Sequence, residues 1–359
     1  MESRVMVMAG GTGGHVFPAL AVADWLRQQG CEICWLGTRN GMESRLVPEQ
    51  GYPMEYIDLR GVRGTGMTRR LSAPFVVLRA LWQAWWIMRR QRPGLVLGMG
   101  GFVSGPGGVM AWVLRVPLVI QEQNAIPGLT NRILSRIASR VFEAFPGSFA
   151  DSGLAEESGN PVRHEILELS EPEGRFSARQ GKPRLLVLGG SLGAQVLNEM
   201  VPAALACLDE ELRPSVRHQT GEKTYEMAVE RYRTHGIDAE LKAFETDMAG
   251  AYGWADLVIC RAGALTISEL AAAGLGAVLV PFPYAVDDHQ THNAAYLVKA
   301  GAAVMLPQTE LSAESLAKQL RELLCDPAHL LAMAKAARRL ARPEAAAQVG
   351  RACLEVMKR

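Results

Sequence analysis

The sequence predicts an α/β protein built from two Rossmann-like, parallel-sheet domains. Short apolar runs alternate with helix-length amphipathic segments through most of the 359 residues, the pattern of parallel strands joined by crossover helices. A strand, glycine turn and helix open the chain at VMVMAGGTGGH, and the same unit returns at RLLVLGGSLGAQ from residue 184. A chain of this length exceeds the size at which single cores stop growing, so two domains are expected.

The first half predicts strands at residues 5–8, 33–36, 54–57, 95–97, 118–120 and 140–142, with helices in most gaps. Residues 144–182 are rich in Gly, Pro, Ser and Glu and read as an interdomain connection with surface loops. The boundary falls near residues 161–163, giving an N-terminal domain over 1–162 and a C-terminal domain over 163–340. Strands are expected again at 184–188, 255–261 and 277–280. Residues 328–359 are rich in Ala, Leu and Arg with helical periodicity broken at Pro343. The helix over about 341–359 is expected to pack back on the first domain.

The net charge of +1 gives no reason to expect nucleic acid as a partner. That balance hides an asymmetry: no carboxylate occurs between Asp58 and Glu122, while nine arginines lie from Arg60 to Arg115. The six cysteines sit mostly in apolar runs, as reduced core thiols of a cytoplasmic protein do. Cys31 and Cys34 have CxxC spacing, but they lie in or beside a predicted strand whose alternate side chains point apart. The N-terminus carries no export leader, and no run reaches the length of a membrane span.

Residues 74–92 combine Phe75, Leu78, Trp82, Trp85 and Trp86 at three- and four-residue steps with Arg69 and Arg70 on one side and Arg89, Arg90 and Arg92 on the other. Part of such a stripe must pack on a sheet. Three tryptophans beside five arginines without a carboxylate also suit an interface with anionic lipid.

Chemistry is expected at strand ends, where open α/β sheets collect their ligands. The opening loop, Gly10 to His15, lets the backbone approach an anion closely ahead of a helix N-terminus. It lacks the third glycine of the dinucleotide fingerprint and the Gly-Lys-Ser/Thr of a P-loop. His15 offers a proton acceptor near neutral pH. A second glycine turn follows at residues 98–108, including Gly101, Phe102 and Ser104. The loop QEQNAIP then offers Glu122 and Asn124 to a polyhydroxylated substrate. In the second half, Ser191 follows a glycine pair, and Ala264, Leu265 and Thr266 open a helix whose amides suit a diphosphate, with Glu269 one turn later for ribose hydroxyls. Gln290 and Asn293 suit sugar hydroxyls. Asp287, Asp288 and His289 are neighbours in one loop and do not converge on an ion, so no metal or other cofactor is expected.

The segments GGTGGHVFPALA, GMGGFVSGPGG, QEQNAIPGLTN, GNPVR, GGSLGAQ and CRAGALTISELAAAG together resemble the MurG family of bacterial GT-B glycosyltransferases, in order and over nearly the whole chain. The resemblance implies two Rossmann-like domains facing across a cleft, transfer of N-acetylglucosamine from UDP-N-acetylglucosamine to lipid I, and formation of lipid II for peptidoglycan at the cytoplasmic face of the inner membrane. It implies that Arg163, Ser191, Ala264, Leu265, Thr266, Glu269 and Gln290 contact the donor, with Thr12, Gly13, Gly14 and Asn124 closing on it from the other side. Gly101, Phe102 and Ser104 would then face the acceptor. Phe102 stands where a tyrosine is common in the family. Glu245 stands where an aliphatic residue offers its backbone to uracil. His289 replaces a glutamine of some relatives. Anionic inner-membrane lipids, and other cell-wall synthesis proteins, are the further partners that this likeness brings with it.

Single-displacement inversion needs a base at the acceptor hydroxyl and positive potential at the leaving diphosphate. His15 is the first candidate base and Glu122 the reserve. The nucleotide phosphates have their better home at Ser191 and residues 264–266, leaving the opening loop to the acceptor and the donor sugar. The alternatives are a GT-B transferase with a different lipid acceptor such as diacylglycerol, a sugar-nucleotide epimerase, and an idle sugar-nucleotide sensor or membrane scaffold.

Overall fold

The computed structural model describes residues 3–59, 67–149, 153, 155–190 and 193–358. The chain divides into two compact units, Met1–Arg163 with Arg342–Arg359, and His164–Ala341.

In the first unit the order is β1 (Arg4–Met8), α1 (Gly13–Gln28), β2 (Glu32–Gly37), α2 (Glu43–Glu49), β3 (Met54–Tyr56), α3 (Met67–Gln91), β4 (Leu95–Gly98), α4 (Ser104–Val113), β5 (Leu118–Glu122), α5 (Leu129–Leu134), β6 (Arg140–Glu143) and β7 (Ala155–Glu157). The strands form one parallel sheet in the order β3-β2-β1-β4-β5-β6-β7. Both faces are covered, so alternate side chains of β1 enter different cores: Val5 and Val7 pack with Ala19, Ala23 and Leu26 of α1, and Met6 and Met8 with Ile87 and Met88 of α3. Cys31 and Cys34 likewise belong to the cores on opposite faces, and burial pushes the Cys34 thiol up to about 12.

The second unit runs through α6 (His164–Leu167), α7 (Pro172–Ser177), β8 (Arg184–Leu188), α8 (Gln195–Ala206), β9 (Ser215–Gln219), α9 (Tyr225–Thr234), β10 (Glu240–Lys242), α10 (Met248–Trp254), β11 (Leu257–Cys260), α11 (Ala264–Ala273), β12 (Gly276–Leu279), α12 (His289–Lys299), β13 (Ala303–Met305), α13 (Ala313–Leu324) and α14 (Pro327–Arg339). Its sheet has the order β10-β9-β8-β11-β12-β13. The terminal helix α15 (Ala345–Met357) belongs to the first unit, where Val349, Ala352, Cys353 and Val356 join the core on the α1 face.

Both sheets reverse their winding beside the first strand, between β1 and β4 and between β8 and β11. The crevice outside the strand ends at such a point is where doubly wound sheets hold ligands. The glycine turns that follow β1, β4 and β8 lie there, as does the start of α11 after β11.

One sequence expectation changes here. Residues 144–182 contain β7, a polar strand recognisable only by its pairing of Ala155, Glu156 and Glu157 with β6. The first helix starts at Gly13, so Gly13, Gly14 and His15 form its first turn; helix starts tolerate glycine because their N–H groups have no intrahelical acceptor.

Candidate active site

The end of β1 and the end of β4 lead into two glycine turns that touch. Gly101 has φ +82°, and a Cβ there would stand 2.4 Å from the Gly10 carbonyl oxygen. Ser104, fully buried, donates its hydroxyl toward the carbonyls of Gly100 at 2.8 Å and Met8 at 3.1 Å. Beneath the first turn lies the buried carboxylate of Glu43, which accepts the N–H of Gly11 at 2.9 Å and the N–H and hydroxyl of Thr38 at 2.9 and 2.7 Å. Thr12 is the N-cap of α1, and its carbonyl accepts from the His15 and Val16 amides. The amides of Gly13 and Gly14 are left for a ligand among the described residues. His15 is half-buried, with Nδ1 2.8 Å from Oε1 of Gln123.

Glu122 ends β5, and its carboxylate is saturated. Oε1 accepts from the Asn124 backbone at 2.9 Å and side chain at 3.2 Å, and Oε2 accepts from Gly128 N at 3.1 Å and Asn131 Nδ2 at 2.9 Å. Four N–H donors occupy the four lone-pair directions of a buried carboxylate. Glu122 therefore organises the loop and has no outward lone pair with which to act as a base.

In the second unit, α11 begins at Ala264 behind the N-cap Gly263, whose extended backbone turns the strand end into the helix. Glu269 is buried, and its Oε2 accepts the hydroxyl of Tyr252 at 3.0 Å. Gln290 Oε1 accepts the amides of Ala262 at 3.2 Å and Phe282 at 2.9 Å, tying together the turns after β11 and β12. Arg261 donates to the carbonyls of Val280 and Pro281 and, at 2.7 Å, to Gln308 Oε1. In the turn after β8, Gly190 has φ +80° and its carbonyl accepts from Gly193 N and Gln219 Nε2, both at 2.9 Å.

The glycosyltransferase family 28 N-terminal domain matches residues 5–143 and the family 28 C-terminal domain residues 184–349. The chain belongs to glycosyltransferase family 28. Among relatives, this family 28 chain is 58% identical over 356 residues to the UDP-N-acetylglucosamine–N-acetylmuramyl-(pentapeptide) pyrophosphoryl-undecaprenol N-acetylglucosamine transferase of Nitrosococcus oceani, covering 99% of each chain. It is 57% identical to the Marinobacter nauticus protein of the same name, over 98% of this chain and 97% of that one. The crystal structure of Acinetobacter baumannii MurG is similar at 44% identity and a TM-score of 0.84, covering 98% of this chain and 99% of that one.

The family 28 fold brings Thr12, Gly13, Gly14, His15, Gly101 and Phe102 to one end of the first sheet, with Phe102 half exposed. Arg163 is in the first unit, its guanidinium 4.9 Å from the Phe17 ring centre. Ala264, Leu265, Thr266, Glu269 and Gln290 gather at one end of the second sheet. Ser191 lies outside the described residues. Ser104 is a correction: it is spent on the loop backbone and offers nothing to an acceptor. Asn293 is another, fully buried and donating to the Ala262 carbonyl at 3.2 Å. The Glu245 carboxylate accepts from Lys242 Nζ at 2.9 Å and Asp247 N at 3.0 Å, which leaves its backbone as the part available to a base. Asp287 and Asp288 both have positive φ, and Asp288 accepts from Thr291.

Sequence reading missed Glu43, Gln121, Gln123, Asn160 and Tyr252. The signal for two of them was present: in QEQN, strand alternation puts Gln121 and Gln123 on one side and Glu122 and Asn124 on the other.

The tryptophan helix divides differently from expectation. Ala80, Ala84, Ile87 and Met88 form the packed face of α3, whereas Phe75, Leu78, Trp82, Trp85 and Trp86 remain exposed, Trp82 at 64%. Arg89 and Arg90 lie over the rings of Trp85 and Trp86. The side chains of Arg69 and Arg70 lie outside the described ones. Trp112 and Val113 of α4 and Leu129 and Ile133 of α5 are exposed too, on helices of which α4 packs on α3 and α5 on α4.

Proposed function

We propose that this chain transfers N-acetylglucosamine from UDP-N-acetylglucosamine to the 4-hydroxyl of the muramoyl-pentapeptide diphosphoundecaprenol lipid I, forming lipid II with inversion. The observation that carries the reading is the end-to-end identity to the Nitrosococcus oceani transferase, whose name states the sugar and the lipid-linked acceptor.

In this reading the acceptor hydroxyl gives its proton to His15 Nε2 while its oxygen bonds the anomeric carbon, and UDP leaves with the electron pair of the broken C–O bond. Thr12, Gly13, Gly14, Gly101 and Phe102 face the acceptor and the donor sugar, with Asn124 and Gln290 as hydroxyl partners. Ser191 and the amides of residues 264–266 hold the donor diphosphate, Glu269 the ribose, and Arg163 and the Glu245 backbone the uridine. Helix-terminal amides and Arg163 supply the positive potential at the leaving group, so the reading assigns no metal.

The same reading seats the first unit on the cytoplasmic face of the inner membrane. No helix among the described residues is long and apolar enough to cross a membrane. The exposed tryptophans of α3, the apolar residues of α4 and α5, and the arginines of α3, of which Arg79 is paired with Asp58 and Arg90 with Glu55, support peripheral attachment to anionic lipid. The test of the whole proposal is transfer of labelled N-acetylglucosamine into lipid I in detergent micelles. Label in lipid II, retained as a β-glycoside, is the expected result, and a lipid phase without label would overturn the proposal.

A further inference from the structure

We propose that Gln123 is a positioning residue that fixes His15 in the tautomer with hydrogen on Nδ1, leaving the Nε2 lone pair free. The inference rests on the reading of His15 as the base. It is carried by a chain of buried amides whose orientation is decided by backbone carbonyls, which can only accept.

Gln121 Nε2 lies 3.2 Å from the carbonyl oxygen of Gly159 and 3.2 Å from that of Glu122, so this end must be the NH2 group. Its Oε1 therefore faces Gln123 and accepts from Gln123 Nε2 at 2.6 Å. Gln123 Nε2 also reaches the Gln121 backbone carbonyl at 3.2 Å, which fixes this second amide in the same sense. Asn160 closes the ring: its Nδ2 donates to the Gln123 carbonyl at 3.1 Å and its Oδ1 accepts from Gln121 Nε2 at 3.2 Å. The end of Gln123 left for His15 is thus the carbonyl oxygen, 2.8 Å from Nδ1. A carbonyl oxygen has no hydrogen to give, so the ring nitrogen is the donor and Nε2 carries the lone pair.

The surroundings hold this arrangement in place. Gln121, Gln123 and Asn160 are all buried. Gly100, with φ +90°, covers the hydrogen bond: a Cβ there would stand 2.7 Å from His15 Nδ1 and 3.2 Å from Gln123 Oε1. Nε2 has no partner among the described residues. When it takes a proton, the Nδ1–H bond to Gln123 is unchanged, so the ring keeps its orientation through the transfer.

The test is the nitrogen NMR spectrum of the full chain labelled at the imidazole nitrogens, recorded above pH 8, with His15 identified by its loss in His15→Ala. The expected spectrum has a protonated Nδ1 and an unprotonated Nε2. Gln123→Met should move His15 toward the other tautomer or a mixture and lower kcat at least about 10-fold, with KM for the donor within about twofold. A wild-type His15 protonated at Nε2 would overturn the proposal without recourse to any variant, and so would a Gln123→Met spectrum identical to wild type. Full turnover by His15→Ala would instead overturn the reading of His15 as base, a failure distinct from that of the tautomer.

Discussion

Glu43 accepts the backbone N–H of Gly11 from a fully buried position 32 residues along the chain, at 2.9 Å. This bond and the two from Thr38 tie the first glycine turn to α2 and the end of β2. The carboxylate therefore takes up the Gly11 amide, while those of Gly13 and Gly14 have no protein acceptor among the described residues.

Glu43→Ala removes three hydrogen bonds and leaves two backbone amides without their acceptor. Losing three hydrogen bonds to a buried carboxylate should destabilise the first unit by about 2–4 kcal/mol. That corresponds to a fall of roughly 5–12 °C in its melting transition. Calorimetry of the full chain checks this, and affinity for UDP, whose proposed contacts are Arg163 and residues of the second unit and not this turn, should be unchanged.

Acid stability should report His218. Its ring is buried in β9 with Nδ1 3.0 Å from the Tyr232 hydroxyl, and burial pulls its pKa down to about 3. The unfolded chain binds a proton there below about pH 6.5 and the folded chain does not, so the stability of the second unit falls with pH between those values. Above pH 6.5 both states are neutral and the group contributes no slope. Between pH 7 and pH 5 the loss should be roughly 2 kcal/mol from this residue. His218→Leu should remove that part of the slope in urea unfolding at the two pH values, whatever its effect at pH 7.

Membrane attachment should depend on the exposed side of α3. A Trp82→Ser, Trp86→Ser double variant loses two large exposed rings and none of the packed face formed by Ala80, Ala84, Ile87 and Met88. Flotation with anionic liposomes at moderate salt should recover most of the wild-type protein and at least severalfold less of the variant. Equal recovery would mean that this surface does not bind lipid.

Nine strands and the glycine turns were legible because apolar runs and glycine clusters are local signals, whereas β9, β10 and β13 were not read. What could not be read locally depends on partners far along the chain. β7 has the sequence AEE and becomes a strand only by pairing with β6. The packed face of α3 includes two alanines, Ala80 and Ala84, whose small size permits close approach but makes less impression in a sequence than three tryptophans. Glu122 looked like a spare base because its neighbours in sequence are polar; in the fold those neighbours, with Asn131, consume it. Gln123 gave no sign of its role because His15 is 108 residues away.

His15 holds the central role, as proton acceptor in a turn that serves the acceptor substrate. Single-turnover transfer from UDP-N-acetylglucosamine to lipid I, measured for wild type and His15→Ala beside UDP affinity, tests this most directly. Transfer should slow by about 10²-fold or more while UDP affinity stays within about twofold. Transfer at the wild-type rate would contradict it and move the base to another residue.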